Sequence, residues 1–216
     1  MSVTLRAKVA VLGGRAVGKT ALTQMFQSKG KLFPKNYKLT SGMDVVVAPV
    51  PIEGTDAIVE LFVCDVSGHQ IFSDMVTQLL DNVNLVILVY DQSSRDSFEA
   101  CAEGLKLLMG VPSNKGKSMR GVLVGNKHDL VGHVNYDADG DGTVTAAEVA
   151  AANEKLGKLR QRAVELDEAK RWATSMGLVF METSALPPGS AIAEPFKWCA
   201  LTFHQAYEEH LGQLVS

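Results

Sequence analysis

The chain is poor in cysteine, in net charge and in long apolar runs, and each shortage excludes something. Only Cys64, Cys101 and Cys199 occur among 216 residues. Odd in number and scattered, they form neither a disulfide framework nor a zinc spacing, and they suit a reducing compartment. Basic and acidic residues number 21 and 24, a formal net charge of −3. A dedicated nucleic-acid binder would be strongly basic, so no nucleic-acid partner is expected. Apolar runs such as Leu85–Tyr90 fall far short of a bilayer span. Met1–Leu5 holds no secretory apolar region, Ser2 stands where myristoylation needs glycine, and Gly212–Ser216 offers no cysteine to prenylate. No direct lipid anchor is therefore expected. What the chain does have is material for a core: 46% of its residues are hydrophobic and 21% charged, enough for one domain over residues 1–216 with room for an insertion.

Strand-like and helix-like segments alternate, which predicts an α/β fold: a six-stranded, mostly parallel sheet with helices on both faces. The strands are expected at Arg6–Leu12, Met43–Val50, Ile58–Cys64, Leu85–Tyr90, Gly121–Val124 and Leu178–Met181. Pro49 and Pro51 assign the second of these to a sheet edge, since proline cannot donate to a central ladder. Helices are expected at Thr20–Ser28, Phe72–Leu80, Ser94–Met109, a long stretch from about Thr145 to Ser175, and Pro195–Leu211. Phe196, Cys199, Phe203 and Tyr207 recur at helical spacing and read as a core-facing stripe, with Trp198 displaced from it and facing a partner. Trp172 and Phe180 read as core.

Gly13-Gly14-Arg15-Ala16-Val17-Gly18-Lys19-Thr20 fits G-x-x-x-x-G-K-[ST] between an apolar strand and a helix. Glycines there let backbone N–H groups curl round phosphate oxygens at a helix N-terminus, which here runs on into Ala21. The Lys19 ammonium would reach the β- and γ-phosphates and the Thr20 hydroxyl would ligate Mg²⁺. Asp65-Val66-Ser67-Gly68 follows an apolar strand, where an acidic group holds Mg²⁺ through water. The Gly68 amide is placed to sense a γ-phosphate, and Thr40 to close over the metal as a second hydroxyl ligand. Singly, a D-x-x-G or a lone threonine signals nothing; in this order they support one another.

Asn126-Lys127-His128-Asp129 comes directly after the strand Gly121–Val124. The Asp129 carboxylate can accept from guanine N1–H and N2–H together, a pairing adenine cannot offer. Asn126 would brace the loop and the Lys127 stem would cover the base. Glu182-Thr183-Ser184-Ala185 follows the last strand, where the Ala185 amide, beside Ser184, could donate to guanine O6. Two ordinary polar turns would read alike. Both, however, lie at the strand ends where such a sheet binds ligands.

In that order the segments resemble the five signatures of the Ras-like small GTPases, over roughly Leu5 to Ser184, and Tyr37–Asp44 looks Rab-like. Phe26-Gln27-Ser28-Lys29-Gly30, Thr40–Val50, Pro187-Pro188-Gly189 and Ala193-Glu194-Pro195-Phe196 are similar to a Rab-like family of intraflagellar transport subunits that lacks a prenyl tail. The resemblance implies a P-loop G domain binding GTP or GDP with Mg²⁺, working in cilium or flagellum and cytoplasm. It also implies pairing with intraflagellar transport protein 25 and contact with other subunits of the transport train. The expected function is a nucleotide-dependent partner-binding switch, with slow hydrolysis expected from His69 and Arg15; the alternatives are a non-cycling structural subunit and a calcium-responsive adaptor.

Two positions depart from the family pattern. His69 stands after D-x-x-G, where Ras-like enzymes place the glutamine that orients the attacking water, so His69 is either a substitute or a loss. Thr40, Gly68 and His69 are the candidates for the hydrolytic group. Arg15 occupies a loop position that favours small residues: a built-in arginine finger, an obstruction or a solvent-facing side chain. The larger departure is an insertion at residues 130–161. Within it, residues 137–148 follow an EF-hand loop pattern, with Asp137, Asp139 and Asp141 at positions 1, 3 and 5 and Gly142 at the turn. The Thr143 carbonyl, Thr145 and a bidentate Glu148 complete a Ca²⁺ ligand set, against the alternative of an acidic surface loop.

Overall fold

A computed structural model describes residues 3–34, 36, 38–69, 78–131, 145, 154, 157 and 159–215. The strands are β1 (Thr4–Leu12), β2 (Met43–Pro51), β3 (Ile58–Val66), β4 (Leu85–Asp91), β5 (Arg120–Asn126) and β6 (Leu178–Glu182). Among the described residues the α-helices are α1 (Lys19–Gln27), α2 (Arg95–Gly110), α3 (Leu166–Ser175) and α4 (Glu194–Val215). The strands form one sheet in the order β2-β3-β1-β4-β5-β6. Every pairing is parallel except β2 with β3, whose register runs from Met43 opposite Val66 to Pro51 opposite Ile58. β2 is an edge strand, as Pro49 and Pro51 require.

Period-two alternation sends each strand to both faces, and each face carries its own core. Ala7, Val9 and Val11 of β1, with Ile87 and Val89 of β4, pack towards Leu22 of α1 and towards Phe196, Cys199 and Ala200 of α4. Ala10 and Leu12, with Val86, Leu88 and Tyr90, pack on the other face against Phe98, Cys101 and Leu108 of α2 and Ala169 and Ala173 of α3. Phe26 stacks on Phe196 at 4.0 Å and so ties α1 to α4. Trp198, expected to face a partner, is half-buried against the first core, alongside Phe203. Trp172 lies edge-on to Phe98 at 5.5 Å, within the second.

Helix starts follow local chemistry. Ser94 caps α2 by accepting from the Ser97 N–H at 3.3 Å, and Asp167 and Glu168 place negative charge in the first turn of α3. The long helix expected from about Thr145 to Ser175 is not continuous, because residues 159–165 are not helical. There the Arg160 N–H donates to the Leu130 carbonyl at 2.7 Å and the Ala163 N–H to the Gln92 carbonyl at 2.8 Å. Backbone donors committed elsewhere cannot serve a helix, so α3 begins only at Leu166. The helix expected at Phe72–Leu80 lies mostly outside the described residues. So does the expected calcium loop: Asp137, Asp139, Asp141, Thr143 and Glu148 fall outside them, and Thr145 alone is described, exposed.

Candidate nucleotide site

β1 ends at Leu12 and the chain turns sharply into α1. The turn is possible only with glycine. At Gly13 (φ 144°) a Cβ would lie 2.0 Å from the Val89 carbonyl oxygen; at Gly18 (φ 99°) it would lie 2.4 Å from the Asn126 amide nitrogen. The loop thus folds back over the carboxyl ends of β4 and β5. Lys19 opens α1 at 7% exposure, its ammonium donating to the Gly13 and Gly14 carbonyls at 2.9 and 2.7 Å. Burial lowers its pKa from 10.5 to about 8, against the opposing pull of the Asp65 charge.

Thr20, next in the helix, donates its hydroxyl to Asp65 Oδ2 at 2.5 Å and lies 3.2 Å from the Thr40 hydroxyl. Asp65, near the carboxyl end of β3, is 2% exposed. Burial pushes its pKa up, and the Thr20 hydrogen bond and Lys19 charge offset that only in part. Its Oδ1 is buried without a hydrogen-bond partner among the described residues. A buried carboxylate oxygen left unpaired beside two hydroxyl oxygens is a donor set for a small, hard cation, so the residues present fit Mg²⁺. Gly68 lies against the loop, where a Cβ would meet the Gly14 carbonyl oxygen at 2.5 Å and Lys19 Nζ at 2.7 Å. A cleft of about 510 Å³ opens here, with Arg15, Lys19, Thr20, Thr40, Gly68 and His69 in its wall. Arg15 is exposed; the His69 N–H donates to Ser67 Oγ at 3.3 Å. Backbone amides at a helix N-terminus, a buried ammonium and clustered oxygen ligands together fit a phosphate chain with its metal.

The other end of the site is built where β5 and β6 finish. Asn126 is 1% exposed and bridges three elements. Its amide donates to the Val17 carbonyl at 2.8 Å, and its Oδ1 accepts from the Thr183 hydroxyl at 3.1 Å. Lys127 takes a left-handed conformation (φ 60°) and pairs with Asp91 at 2.8 Å. Burial raises the Asp91 carboxyl, but the bonds from Lys127 and Ser93 outweigh it and hold the pKa below its ordinary value. Asp129, half-buried in the 3₁₀ turn His128–Leu130, accepts from the Ser184 hydroxyl at 2.5 Å. Ser184 and Ala185 are each 5% exposed. Two turns 55 residues apart in sequence thus meet through Asp129 and Ser184. Reading the sequence alone missed Asp91, Gln92 and Thr183, which brace this end. Their only sequence signal is polarity at the ends of apolar strands.

A doubly wound sheet with this phosphate loop at its carboxyl edge defines a class. Residues 8–205 match the model of the Ras family, and the chain belongs to that family. More particularly, it is a Rab-like small GTPase resembling intraflagellar transport protein 27. It is 39% identical to intraflagellar transport protein 27 of Chlamydomonas reinhardtii over 212 residues, 98% of this chain and 91% of that one. The human homolog is 39% identical over 207 residues, covering 96% and 95% of the two chains. The Trypanosoma brucei brucei homolog is 34% identical over 213 residues, covering 99% and 98%.

Proposed function

We propose that this chain is a Rab-like subunit of intraflagellar transport that binds GTP or GDP with Mg²⁺ and passes its nucleotide state to partner proteins. The observation carrying the reading is the Asn126 bridge, which fastens the turn bearing Asp129 to the phosphate loop at Val17. Phosphate-binding and base-reading residues then form one site rather than two. Thr20, Thr40 and Asp65 would hold the metal, which neutralises charge on the phosphates; Lys19 and the amides of Gly13–Ala21 would hold the phosphates themselves. Asp129 would select guanine, with Asn126, Lys127, Ser184 and Ala185 shaping its pocket. The likeness to intraflagellar transport protein 27 supports placement in cilium or flagellum, with intraflagellar transport protein 25 as the proposed partner.

A second reading, a subunit that keeps its nucleotide without cycling, is favoured by the imidazole of His69 at the position after Gly68. Calcium binding at residues 137–148 belongs to this proposal on the sequence pattern alone. The test is direct: denature the purified protein and separate the released nucleotide. About one equivalent of GDP or GTP is expected from a tight one-to-one site. Adenine nucleotide, or none even after loading with GDP and Mg²⁺, overturns the reading. Single-turnover hydrolysis of loaded GTP then separates switch from static subunit.

A further inference from the structure

We propose that Arg162 is a positioning residue for guanine recognition, holding Asp129 in place through Glu182 and His128. The proposal rests on the assignment of Asp129 to the base. Arg162 Nη2 donates to Glu182 Oε1 at 2.8 Å. The other carboxylate oxygen of Glu182 lies 3.8 Å from His128 Nδ1, which is itself 3.3 Å from Gln92 Oε1. His128 immediately precedes Asp129. Glu182 stands two residues before Ser184, the residue whose hydroxyl binds Asp129. The Arg162–Glu182 pair therefore touches both chain segments that fix the base-reading carboxylate.

Sequence makes this pairing unobvious, because Arg162 lies beyond the whole of the 130–161 segment. The backbone brings it back. The Arg160 N–H donates to the carbonyl of Leu130, next to Asp129, and the Ala163 N–H donates to the carbonyl of Gln92. Arg162 is thus flanked by two anchors, one ending at Leu130 in the base-reading turn and the other at Gln92, whose side chain lies 3.3 Å from His128. Its Nη1 is buried without a hydrogen-bond partner among the described residues. An ion pair that leaves a charged donor unsatisfied is a poor device for stability, and fixing register is the better-attested use of such pairs. A guanidinium suits that use, since its planar fork fixes direction as well as charge.

The test compares GDP with IDP, which lacks the 2-amino group that Asp129 would accept from. Affinities for both are measured on the full chain by displacement of a fluorescent nucleotide. The wild type is expected to prefer GDP, and Arg162→Ala to lower the GDP:IDP affinity ratio by about tenfold, the worth of one charge-assisted hydrogen bond. Arg162→Lys, keeping the charge without the fork, should recover part of the ratio. A merely structural role would weaken GDP and IDP alike and leave the ratio unchanged, which overturns the proposal. Should Arg162→Ala fail to fold, Arg162→Lys and Glu182→Gln carry the same measurement, and an unchanged ratio in both overturns it. A wild type that does not distinguish GDP from IDP removes Asp129 from the base and the proposal with it, a failure separate from that of the clamp.

Discussion

Asn126→Ala is the substitution whose consequence follows most directly from the geometry. The side chain is 1% exposed and both its polar atoms are used: the amide on the Val17 carbonyl, the oxygen on the Thr183 hydroxyl. Truncation strips a partner from each of two buried groups, and a side chain of that size leaves little room for water to replace it. An orphaned buried polar group costs about 1–3 kcal/mol, so the pair predicts a loss of about 2–6 kcal/mol. For a chain of this length that corresponds to a fall in Tm of roughly 4–24 °C.

The measurement is urea denaturation of nucleotide-free protein, so that bound ligand does not mask the difference. A double-mutant cycle adds resolution. Thr183→Val removes the hydroxyl that Asn126 accepts while keeping volume, and the two substitutions together should cost less than their sum by about 1 kcal/mol. Release of bound GDP should also quicken in Asn126→Ala, because the bond being lost joins residues 109 apart across the two ends of the site. A stability loss below about 0.5 kcal/mol, typical of a neutral surface change, would refute the reasoning.

Other expectations follow from the same site. Asp129→Asn should lower GTP affinity by tens to about a thousandfold, the worth of a charge-assisted bidentate pair, and shift preference towards xanthine nucleotides in competition assays. Lys19 titrates at about 8 in the folded protein against 10.5 for the ordinary side chain. Below pH 8 both states hold the proton and the cost of burying it is fully present. Between about pH 8 and 10.5 only the unfolded chain keeps the proton, so nucleotide-free protein should gain on the order of 3 kcal/mol as pH rises, a gain that Lys19→Met abolishes. Intrinsic GTP hydrolysis should be no faster than about 10⁻³ s⁻¹, near that of Ras, and a rate near one per second without a partner would make His69 or Arg15 competent. Calorimetry should detect Ca²⁺ at roughly 10⁻⁵ to 10⁻³ M in wild type and weaker binding in Glu148→Gln; no binding at millimolar calcium leaves an acidic loop.

The geometry of the candidate phosphate end was legible because its parts are contiguous: Gly13 to Thr20 declare a glycine-rich turn between an apolar strand and a helix. β4 was legible for a related reason, since all seven of its residues are buried and the first six, Leu85–Tyr90, read as one apolar run. The edge position of β2 came from two prolines. What local pattern could not supply was the destination of backbone donors. Residues 159–165 sit within a polar, helix-favouring stretch, yet Arg160 and Ala163 bond to Leu130 and Gln92, and tertiary pairing overrides propensity there. The bracing residues were hidden likewise. Thr183 and Gln92 belong to no spacing rule, and only the fold shows Thr183 on Asn126 and Gln92 Nε2 on the Gly125 carbonyl at 2.7 Å.

The phosphate end also carries a cost that a ligand would relieve. Burial depresses the Lys19 pKa and raises that of Asp65, so each charged form is disfavoured where it stands. Their mutual attraction offsets only part of this, and Asp65 Oδ1 finds no hydrogen-bond partner among the described residues. A phosphate chain supplies negative charge to Lys19, and a divalent cation supplies positive charge to Asp65. Both deficits would close in one binding event. Because ligand binds the folded state alone, stability should climb with nucleotide concentration as RT ln(1 + [L]/Kd), about 4 kcal/mol at a thousandfold excess over Kd. The nucleotide-free chain is then the weakened form, and its groups are charged for a ligand rather than for each other.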